Sequence, residues 1–242
     1  MIISNFPGGG ASKPKKKAFV DCTWEEVSQI CKKGYAAEYW SIGDEKPMHI
    51  GGSANIFRII GFDHDPVTDA SAYGREKAGI TLEMVDPPST LKKTWAASNA
   101  QQTVWNHSVS GGTLNYFRTD YLPNFLNSTV IEALRNVIVP VNKEFMNNSG
   151  QIVLSSDTLF ILSVNEIKGT YASGHGSEGE QYAYYAAGNS HARSFGEYWT
   201  RSKAGLPSGS MGHAVYTINS SGAVTLRGCS DLTAYGIPCL CI

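Results

Sequence analysis

The segment Tyr198-Trp-Thr-Arg-Ser202 opens a series of short strand-like runs near the C-terminus of the 242-residue chain. These runs are rich in aromatic and β-branched residues, and clusters of Gly, Ser and Asn separate them. The runs are Tyr198–Thr200, Ala214–Ile218, Ala223–Leu226 and Ile237–Ile242. Because strand-like runs alternate with turn-forming residues, we predict a small sheet that carries long loops in this part of the chain.

The loops between these runs have the composition of a binding surface. The region from Gly169 to Gly236 holds 12 of the 25 glycines and 7 of the 12 tyrosines. Tyrosine provides a large rigid contact area, whereas Ser, Gly and Asn provide adaptable hydrogen bonds. Composition alone leaves open the alternative of a glycine-rich loop system without a ligand.

A capping box marks the start of the first predicted helix. In Thr23-Trp-Glu-Glu26, the Thr hydroxyl can accept a hydrogen bond from the Glu26 amide, and the Glu26 carboxylate can reach back to the Thr23 amide. The predicted helix spans Trp24–Lys33, and Gly34 stands where a left-handed residue ends a helix. The predicted buried stripe consists of Trp24, Val27, Ile30 and Cys31.

Between these two regions the pattern indicates further strands. The β-rich runs Tyr39–Ile42, Asn55–Phe62 and Gly79–Val85 are separated by Gly, Pro and Asp clusters, which is typical of an antiparallel sheet. The apolar run Asp157–Val164 predicts another strand that is covered on both faces.

A second capping box, Thr129-Val-Ile-Glu132, predicts a second helix over Val130–Val137. Pro140 follows and would stop the helix. Its predicted buried face consists of Val130, Leu134 and Val137 or Ile138.

Overall composition narrows the function classes. Hydrophobic residues make up 42% and charged residues 17% of the chain, which is ordinary for a globular protein. The net charge is −1 and the basic residues cluster only at Lys13–Lys17, so we expect no nucleic-acid partner. No apolar run approaches the roughly 20 residues that a membrane helix needs, so we expect no membrane span. We predict a flexible leader over residues 1–18, a single domain over 19–242 and synthesis in the cytosol.

Cysteine usage favours a reducing compartment, because five cysteines cannot all form intramolecular disulfides. Cys22 and Cys31 are expected in the core. Cys239 and Cys241 would point to the same side of a strand and could hold a soft metal ion together with Cys229 or a histidine. Because the chain lacks two Cys-x-x-Cys-like pairs, we predict no metal site and no cofactor.

No catalytic signature occurs in the sequence. The histidines form no His-x-x-x-His pattern, and the glycine-rich segments lack the spacing of a phosphate-binding loop. Gly205-Leu-Pro-Ser208-Gly differs from the Gly-x-Ser-x-Gly motif of serine hydrolases by one position. We therefore expect a protein without enzymatic activity.

In the order of these landmarks, the chain resembles C-type-lectin-like domains of phage structural proteins and of clostridial proteins of unknown function. The resemblance rests above all on Tyr198-Trp-Thr-Arg-Ser202 followed by Ala214-Val-Tyr, Ser221-Gly222 and Tyr235-Gly-Ile237. Further matching segments are Trp24-Glu-Glu-Val, Ser41-Ile-Gly-Asp44, Trp105-Asn, Leu122 through Phe145 with Ile138-Val-Pro-Val141, and Leu159-Phe-Ile-Leu-Ser163 with Glu166.

The resemblance implies an α+β class and a C-type-lectin-like fold: two helices, small twisted antiparallel sheets and long C-terminal loops. It also implies that Trp199 packs beneath the loops and that Arg201 and Ser202 hold a loop by hydrogen bonds. The scaffold positions implied in this way are Trp199, Arg201, Ser202, Tyr235 and Gly236.

The chain departs from the family pattern at its end. The family often reads Tyr-Gly-Val-Arg-Pro-Ala-Phe, whereas this chain reads Tyr-Gly-Ile-Pro238-Cys-Leu-Cys-Ile and lacks the arginine. The calcium-dependent sugar-binding motifs Glu-Pro-Asn, Gln-Pro-Asp and Trp-Asn-Asp are also absent, so the resemblance implies no calcium-dependent sugar binding.

Part of this lectin-like class is similar to the variable proteins of diversity-generating retroelements, which include phage tropism determinants. Adenine mutagenesis of Asn codons in those systems produces chemically mixed loops, and Leu206–His213 and Leu226–Leu232 have such mixtures. The similarity implies a variable ligand-binding region over 198–242. Expected contact positions are Lys203, Leu206, Ser208, Ser210, Met211, His213, Tyr216, Arg227, Cys229, Asp231, Leu232 and Thr233, flanked by Tyr184, Tyr185 and His191.

The resemblance therefore predicts a receptor-binding protein, encoded by a phage or prophage and associated with the phage tail. Its expected partner is a host-surface protein or glycan, and other virion proteins or further copies of the chain are additional candidates. Two alternatives stay open. One is a formylglycine-generating-type enzyme that would use Cys239 and Cys241, and the other is a structural virion or cell-surface component without a variable ligand.

Overall fold

Strands and short helices alternate along the chain. The computed structural model describes residue 13 and residues 15–50, 53–96, 105, 116–147, 149–169, 178–204, 214–230 and 233–242. The strands are β1 (Glu45–Ile50), β2 (Ser53–Phe62), β3 (Ile80–Met84), β4 (Lys92–Lys93), β5 (Val141–Met146), β6 (Ile152–Asp157), β7 (Tyr198–Lys203), β8 (Ala214–Ile218), β9 (Val224–Gly228), β10 (Ala234–Tyr235) and β11 (Cys239–Cys241). The helices are α1 (Trp24–Lys32), α2 (Ala36–Tyr39), α3 (Ala70–Tyr73), α4 (Leu122–Ser128), α5 (Glu132–Arg135), α6 (Val164–Lys168) and α7 (Ala183–Ala186).

Within the described ranges, the strands form three sheets. The first has the order β1-β2-β3-β11, the second β4-β10-β7-β8-β9, and the third is the hairpin β5-β6. Neighbouring strands are antiparallel except for β10 and β7, which pair in parallel. The architecture is α+β, as the sequence predicted.

The C-terminal strand completes the N-terminal sheet. Cys239 lies opposite Glu83 of β3, and Ile242 and Ile80 exchange backbone hydrogen bonds of 3.1 Å. Phe160 exchanges backbone hydrogen bonds with Cys239 from the other side. The last residues of the chain are therefore fixed between two distant parts of the sequence.

A cluster of aromatic rings connects the second sheet to the middle of the chain. The Trp95 ring centroid lies 5.7 Å from that of Trp199, 5.9 Å from that of Phe117 and 6.1 Å from that of Trp105. All four side chains are buried. Because buried aromatic rings contribute large apolar areas, this cluster is a major part of the core.

The first helix forms as predicted and ends one residue earlier. Thr23 accepts a hydrogen bond from the Glu26 amide, and the Glu26 carboxylate accepts one from the Thr23 amide. Gly34 has a φ of 74°, which is the left-handed conformation expected after the helix. The four residues of the predicted stripe are buried.

The predicted strand Tyr39–Ile42 is wrong, because α2 ends at Tyr39 and no strand follows before β1. Ala36-Ala-Glu-Tyr39 consists mainly of good helix formers. The rings of Tyr35 and Tyr39 stack at 6.1 Å, as residues four apart on a helix can. The aromatic residues that suggested a strand therefore stabilise a helical turn.

The predicted capping box at Thr129 is also wrong. Thr129 is the C-terminal cap of α4, and α5 begins at Glu132 after Ile131, which provides no side-chain cap. A π-helical turn at Phe117–Tyr121 leads directly into α4, so the main helix of this region precedes the predicted one. The predicted contacts with the core still form, since Val130, Leu134 and Val137 are buried.

The apolar run after Asp157 is buried as predicted but is not a strand. Strand β6 ends at Asp157, and Leu159–Leu162 are buried in an irregular segment with a single bridge from Phe160 to Cys239. A capping box of Ser163 and Glu166 then starts α6. Burial on both faces therefore comes from packing against several elements and not from a regular sheet.

Contacts with the domain begin inside the predicted leader. Most of residues 1–14 lie outside the described residues, but Lys17 forms an ion pair with Glu26, and its carbonyl accepts a hydrogen bond of 3.2 Å from Trp40 Nε1. Across the described residues, no helix is long and apolar enough to cross a membrane.

Replacing Thr23 with Ala should lower the free energy of unfolding by about 1 kcal/mol, because the Glu26 amide loses its acceptor. Thr129→Ala is the matched control and should cost less than about 0.5 kcal/mol, because Thr129 caps no helix N-terminus. Urea unfolding of both variants measures the difference. Equal losses would contradict the assignment of the two threonines.

Candidate functional site

Arg201 is a fully buried arginine on β7 whose guanidinium contacts three other parts of the fold. Its two terminal nitrogens bind the carboxylate of Glu166, with Nη2 to Oε1 at 2.6 Å. Nε donates to the Glu144 carbonyl at 2.8 Å, and Nη1 donates to the Ile161 carbonyl at 3.0 Å. The planar fork of an arginine suits this two-point contact, so Arg201 anchors β7 to α6 and to the segment before it.

Lys143 extends this ion pair to a second carboxylate. Its Nζ lies 2.6 Å from Glu166 Oε1 and 2.5 Å from Asp65 Oδ1. Asp65 also accepts hydrogen bonds from the hydroxyls of Tyr182 and Thr81. We call Asp65, Lys143, Glu166 and Arg201 the buried quartet.

The buried quartet carries two negative and two positive charges. Burial opposes the charges on Asp65 and Glu166, but Lys143 and Arg201 outweigh it, so the pKa values of both carboxyls lie below their usual range. Burial also opposes the charge on Lys143, yet the two carboxylates raise its pKa. All four side chains therefore stay charged at neutral pH, and their charges cancel.

Ser202 connects β7 to the segment that follows residue 177. Its hydroxyl donates to the carboxylate of Glu178 and accepts a hydrogen bond of 3.0 Å from the Val164 amide. Glu178 is 3% exposed, and its second oxygen accepts a hydrogen bond of 2.7 Å from the Met146 amide. The contacts of Arg201 and Ser202 thus agree with the loop-holding role expected for them.

Glu178 differs from the buried carboxylates of the quartet, because among the described residues it forms no ion pair. Burial raises its pKa to about 7, although the Ser202 hydroxyl, Arg201 and the Met146 amide act in the opposite direction. Its protonation therefore changes near neutral pH.

The register of the second sheet brings two predicted ligand segments to one end of that sheet. Lys203, at the end of β7, lies opposite Val215. Ala214, at the start of β8, lies opposite Gly228 at the end of β9. The segments that begin after Ala204 and after Gly228 therefore leave the sheet side by side. We call this the 204/228 end of the sheet.

The predicted contact positions occupy different environments. Lys203, Tyr216 and Cys229 are buried, and burial lowers the pKa of Lys203. Arg227 is exposed and forms an ion pair of 3.0 Å with Glu197, and Thr233 is exposed. Leu206, Ser208, Ser210, Met211, His213, Asp231 and Leu232 lie outside the described residues.

Thr233 does not lie at the 204/228 end. It precedes β10, in which Tyr235 pairs with Tyr198 at the start of β7. Gly228 and Thr233 therefore lie at opposite ends of the sheet. The buried Cys229 accepts a backbone hydrogen bond of 3.0 Å from Ala96.

The predicted scaffold residues all pack into the core or against it. Trp199 Nε1 donates to the Lys93 carbonyl at 2.8 Å. The half-buried Tyr235 ring packs on Phe195 at 4.8 Å. Gly236 is in close contact with the Phe117 ring, and a Cβ atom there would lie 2.2 Å from that ring, so only glycine fits.

The predicted flanking residues belong to a second buried charge cluster. The Tyr185 hydroxyl donates to Glu83, which also binds Arg58 at 2.8 Å and Arg193 at 2.9 Å. The half-buried Tyr184 ring lies 4.1 Å from the Arg58 guanidinium, and the half-buried His191 ring stacks on Tyr185 at 5.4 Å. Tyr185 is therefore committed to the interior, whereas Tyr184 and His191 reach the surface.

The C-terminal cysteines are buried free thiols. Burial raises the pKa of both Cys239 and Cys241 well above the usual value. Among the described residues, no group of three or more His, Cys, Asp or Glu is arranged to hold a metal ion.

Sequence reasoning missed Asp65, Lys143, Glu178 and the cluster around Glu83. Their partners are far away in the chain; Asp65 and Lys143, for example, are 78 positions apart. Ser163-Val-Asn-Glu166 was the one local signal for this site, because its capping-box spacing indicates a helix start at which Glu166 is held in place.

Replacing Glu166 with Gln should lower the free energy of unfolding by about 3–5 kcal/mol, because Lys143 and Arg201 would stay buried with one carboxylate fewer. Asp63→Asn removes the acid of the more exposed pair with Arg75 and should cost less than about 1 kcal/mol. Chemical unfolding at pH 7 compares the two. A similar small loss for both would show that the quartet is not a structural anchor.

The stability of the protein should depend on the ionisation of Glu178. Because its folded pKa of about 7 exceeds the ordinary 4.5, the folded state binds more protons than the unfolded state between these pH values, and stability falls as pH rises. Glu178→Gln mimics the neutral acid and should remove a decrease of roughly 3 kcal/mol between pH 4.5 and pH 8. Urea unfolding of both proteins across this range tests the effect. Parallel pH profiles would refute it.

The comparisons with known proteins give one match. The model of the domain of unknown function DUF6273 matches residues 80–242. No curated protein and no solved structure matches the chain. The matched residues include β7, the 204/228 end of the sheet and three members of the buried quartet. Since the match covers more than half of the sequence, the chain belongs to the DUF6273 family.

Proposed function

We propose that this protein is a ligand-binding module with a C-type-lectin-like fold, and that the 204/228 end of its second sheet carries the ligand surface. The ligand is a host-surface protein or glycan. The protein is encoded by a phage or prophage, made in the bacterial cytoplasm and associated with the phage tail. A retroelement diversifies the segments that form the surface.

The register of β7, β8 and β9 carries this proposal. The segments 205–213 and 229–233 are separated in sequence by β8 and β9, but both begin at the same end of the sheet. A backbone hydrogen bond of 3.0 Å from the Ala204 amide to the Ala214 carbonyl closes the base of the first segment. Two chain segments of mixed composition that share a base can form one continuous surface.

Buried residues beneath this end support the proposal from a second side. Arg201 and Ser202 fix β7 immediately before the first segment, and Cys229 is buried at the start of the second. Loop substitutions away from the core change stability little, usually within about 0.5 kcal/mol. Such a scaffold lets the segments vary without unfolding the protein.

The buried positions are best assigned to support and not to ligand contact. Lys203, Tyr216 and Cys229 lie beneath the sheet end, and Thr233 lies at the other end. The proposed contact set is therefore Leu206, Ser208, Ser210, Met211, His213, Arg227, Asp231 and Leu232.

Sequencing the locus across a population of the source organism tests this function. We expect amino-acid variance to concentrate at adenine-templated codons in 205–213 and at 231–232, next to a template repeat that differs at adenines. The matched control is the β8–β9 turn at the opposite end of the sheet, where Ser220 and Ser221 are exposed and lie outside the proposed surface. Equal variance in this turn would indicate ordinary loop tolerance, and invariance of both segments would refute diversification.

A further inference from the structure

A cleft of about 570 Å³ lies on a part of the molecule that the proposed function does not use. Its walls are the β5–β6 hairpin, α6, the segment 179–181 and the residues His64–Pro66 with Lys77. Volumes of this size are typical of sites for small molecules. Most of the residues that line it have polar or charged side chains, so the cleft suits a ligand with several polar or charged groups.

The base of the cleft contributes little net charge. Asp65, Lys143 and Glu166 line it, and all three are at most 3% exposed. Their hydrogen bonds and ion pairs with one another and with Arg201 balance their charges. A ligand would therefore experience mainly the charges at the rim.

The acidic part of the rim lies near the C-terminal half of β5. The half-buried Glu144 accepts a hydrogen bond of 2.8 Å from the Gly179 amide, which brings the exposed Glu180 close to it. Leu154 lies opposite Glu144 on β6 and is 60% exposed. Two carboxylates therefore stand beside an apolar surface.

The basic part of the rim lies near the start of β5. The exposed Lys77 forms a bridge with Pro66, whose carbonyl accepts a hydrogen bond of 2.8 Å from the Asn142 amide. His64 stacks on Tyr182 at 4.0 Å in the same wall. Two strand spacings across the sheet, through Pro66, and two residues along β5 separate Lys77 from Glu144, which places their backbone positions roughly 12 Å apart.

The rim charges are not neutralised by other side chains of the described residues. Among the described residues, Lys77, Glu144 and Glu180 form no ion pair with each other or with any other side chain. Opposite charges at the two parts of a cleft match a ligand that has a cationic and an anionic end.

We propose that this cleft binds a small zwitterion in which a methylene chain joins a guanidinium or ammonium group to a carboxylate. Glu144 and Glu180 bind the cationic group, the methylene chain crosses the cleft, and Lys77 binds the carboxylate. The proposal concerns a different surface from the 204/228 end and does not rest on the proposed function. The same chemistry occurs in a free ω-guanidino or ω-amino acid and in the C-terminal Arg or Lys of a peptide.

Titration of the intact ¹⁵N-labelled protein with 4-guanidinobutyrate tests the proposal, because its charged groups have about the required separation. Two probes lack one charge each: n-butylguanidinium lacks the carboxylate and 4-ureidobutyrate lacks the cation. We expect saturable shifts at Gly179 and Glu180, with the zwitterion binding at least about tenfold more tightly than either probe. Equal binding of all three, or no binding of the zwitterion and of the peptide below, would overturn the proposal.

Rim variants assign the two ends. Lys77→Gln should abolish the preference for 4-guanidinobutyrate over n-butylguanidinium, and Glu180→Gln should reduce its preference over 4-ureidobutyrate. Both residues are exposed, so the fold should persist, and Glu132→Gln on α5 is the control for loss of an exposed carboxylate. Rim variants that behave like this control would refute the assignment.

The source of the ligand is distinguished by the tripeptide Gly-Gly-Arg with a free or an amidated C-terminus. Tighter binding of the free-acid peptide than of 4-guanidinobutyrate supports recognition of a peptide end. The reverse order supports a free small molecule.

Discussion

The ion pair between Arg201 and Glu166 is the interaction on which the rest of the structure depends. It joins β7 of the second sheet to α6, and Lys143 continues it to the β5–β6 hairpin and to Asp65. Removing these charges from water is costly, and only close geometry with further hydrogen bonds offsets the cost. The backbone carbonyls and hydroxyls around the quartet supply those bonds, so the relative positions of four chain segments are tightly constrained.

This constraint also bears on the extent of the domain. The family match begins at residue 80, yet Asp65 and the strands β1 and β2 precede it. Asp65 balances Lys143, and β2 pairs with β3 along the sheet that the C-terminal strand β11 completes. Without the preceding residues, the matched part would hold a buried lysine and arginine with one carboxylate between them and a sheet with an open edge. Asp65 and β2 therefore make direct contacts with the part of the chain that the family model matches.

Local signals predicted the parts of the fold that depend on local contacts. The box of Thr23 and Glu26 and the pattern of Asn55–Phe62 identified α1 and β2, because their information lies within a few residues. Prediction failed where distant contacts decide, as in the run after Asp157, whose apolar residues pack against several elements without joining a sheet. For the site, the resemblance gave the anchoring role of Arg201, but neither its partner Glu166 nor the Lys143–Asp65 pair could be deduced from spacing.

The structure separates residues that hold the fold from residues that are free to meet a ligand. Lys203, Tyr216 and Cys229 have the mixed chemistry that suggested contact positions, yet they are buried next to the 204/228 end. A side chain at the base of a loop must fill a defined volume, whereas one farther along the loop need not. Composition cannot distinguish these two cases, because both produce unlike neighbours in sequence. The same distinction applies to the cleft: the charges of the buried quartet are balanced within the protein, whereas Lys77, Glu144 and Glu180 at the rim form no ion pair among the described residues.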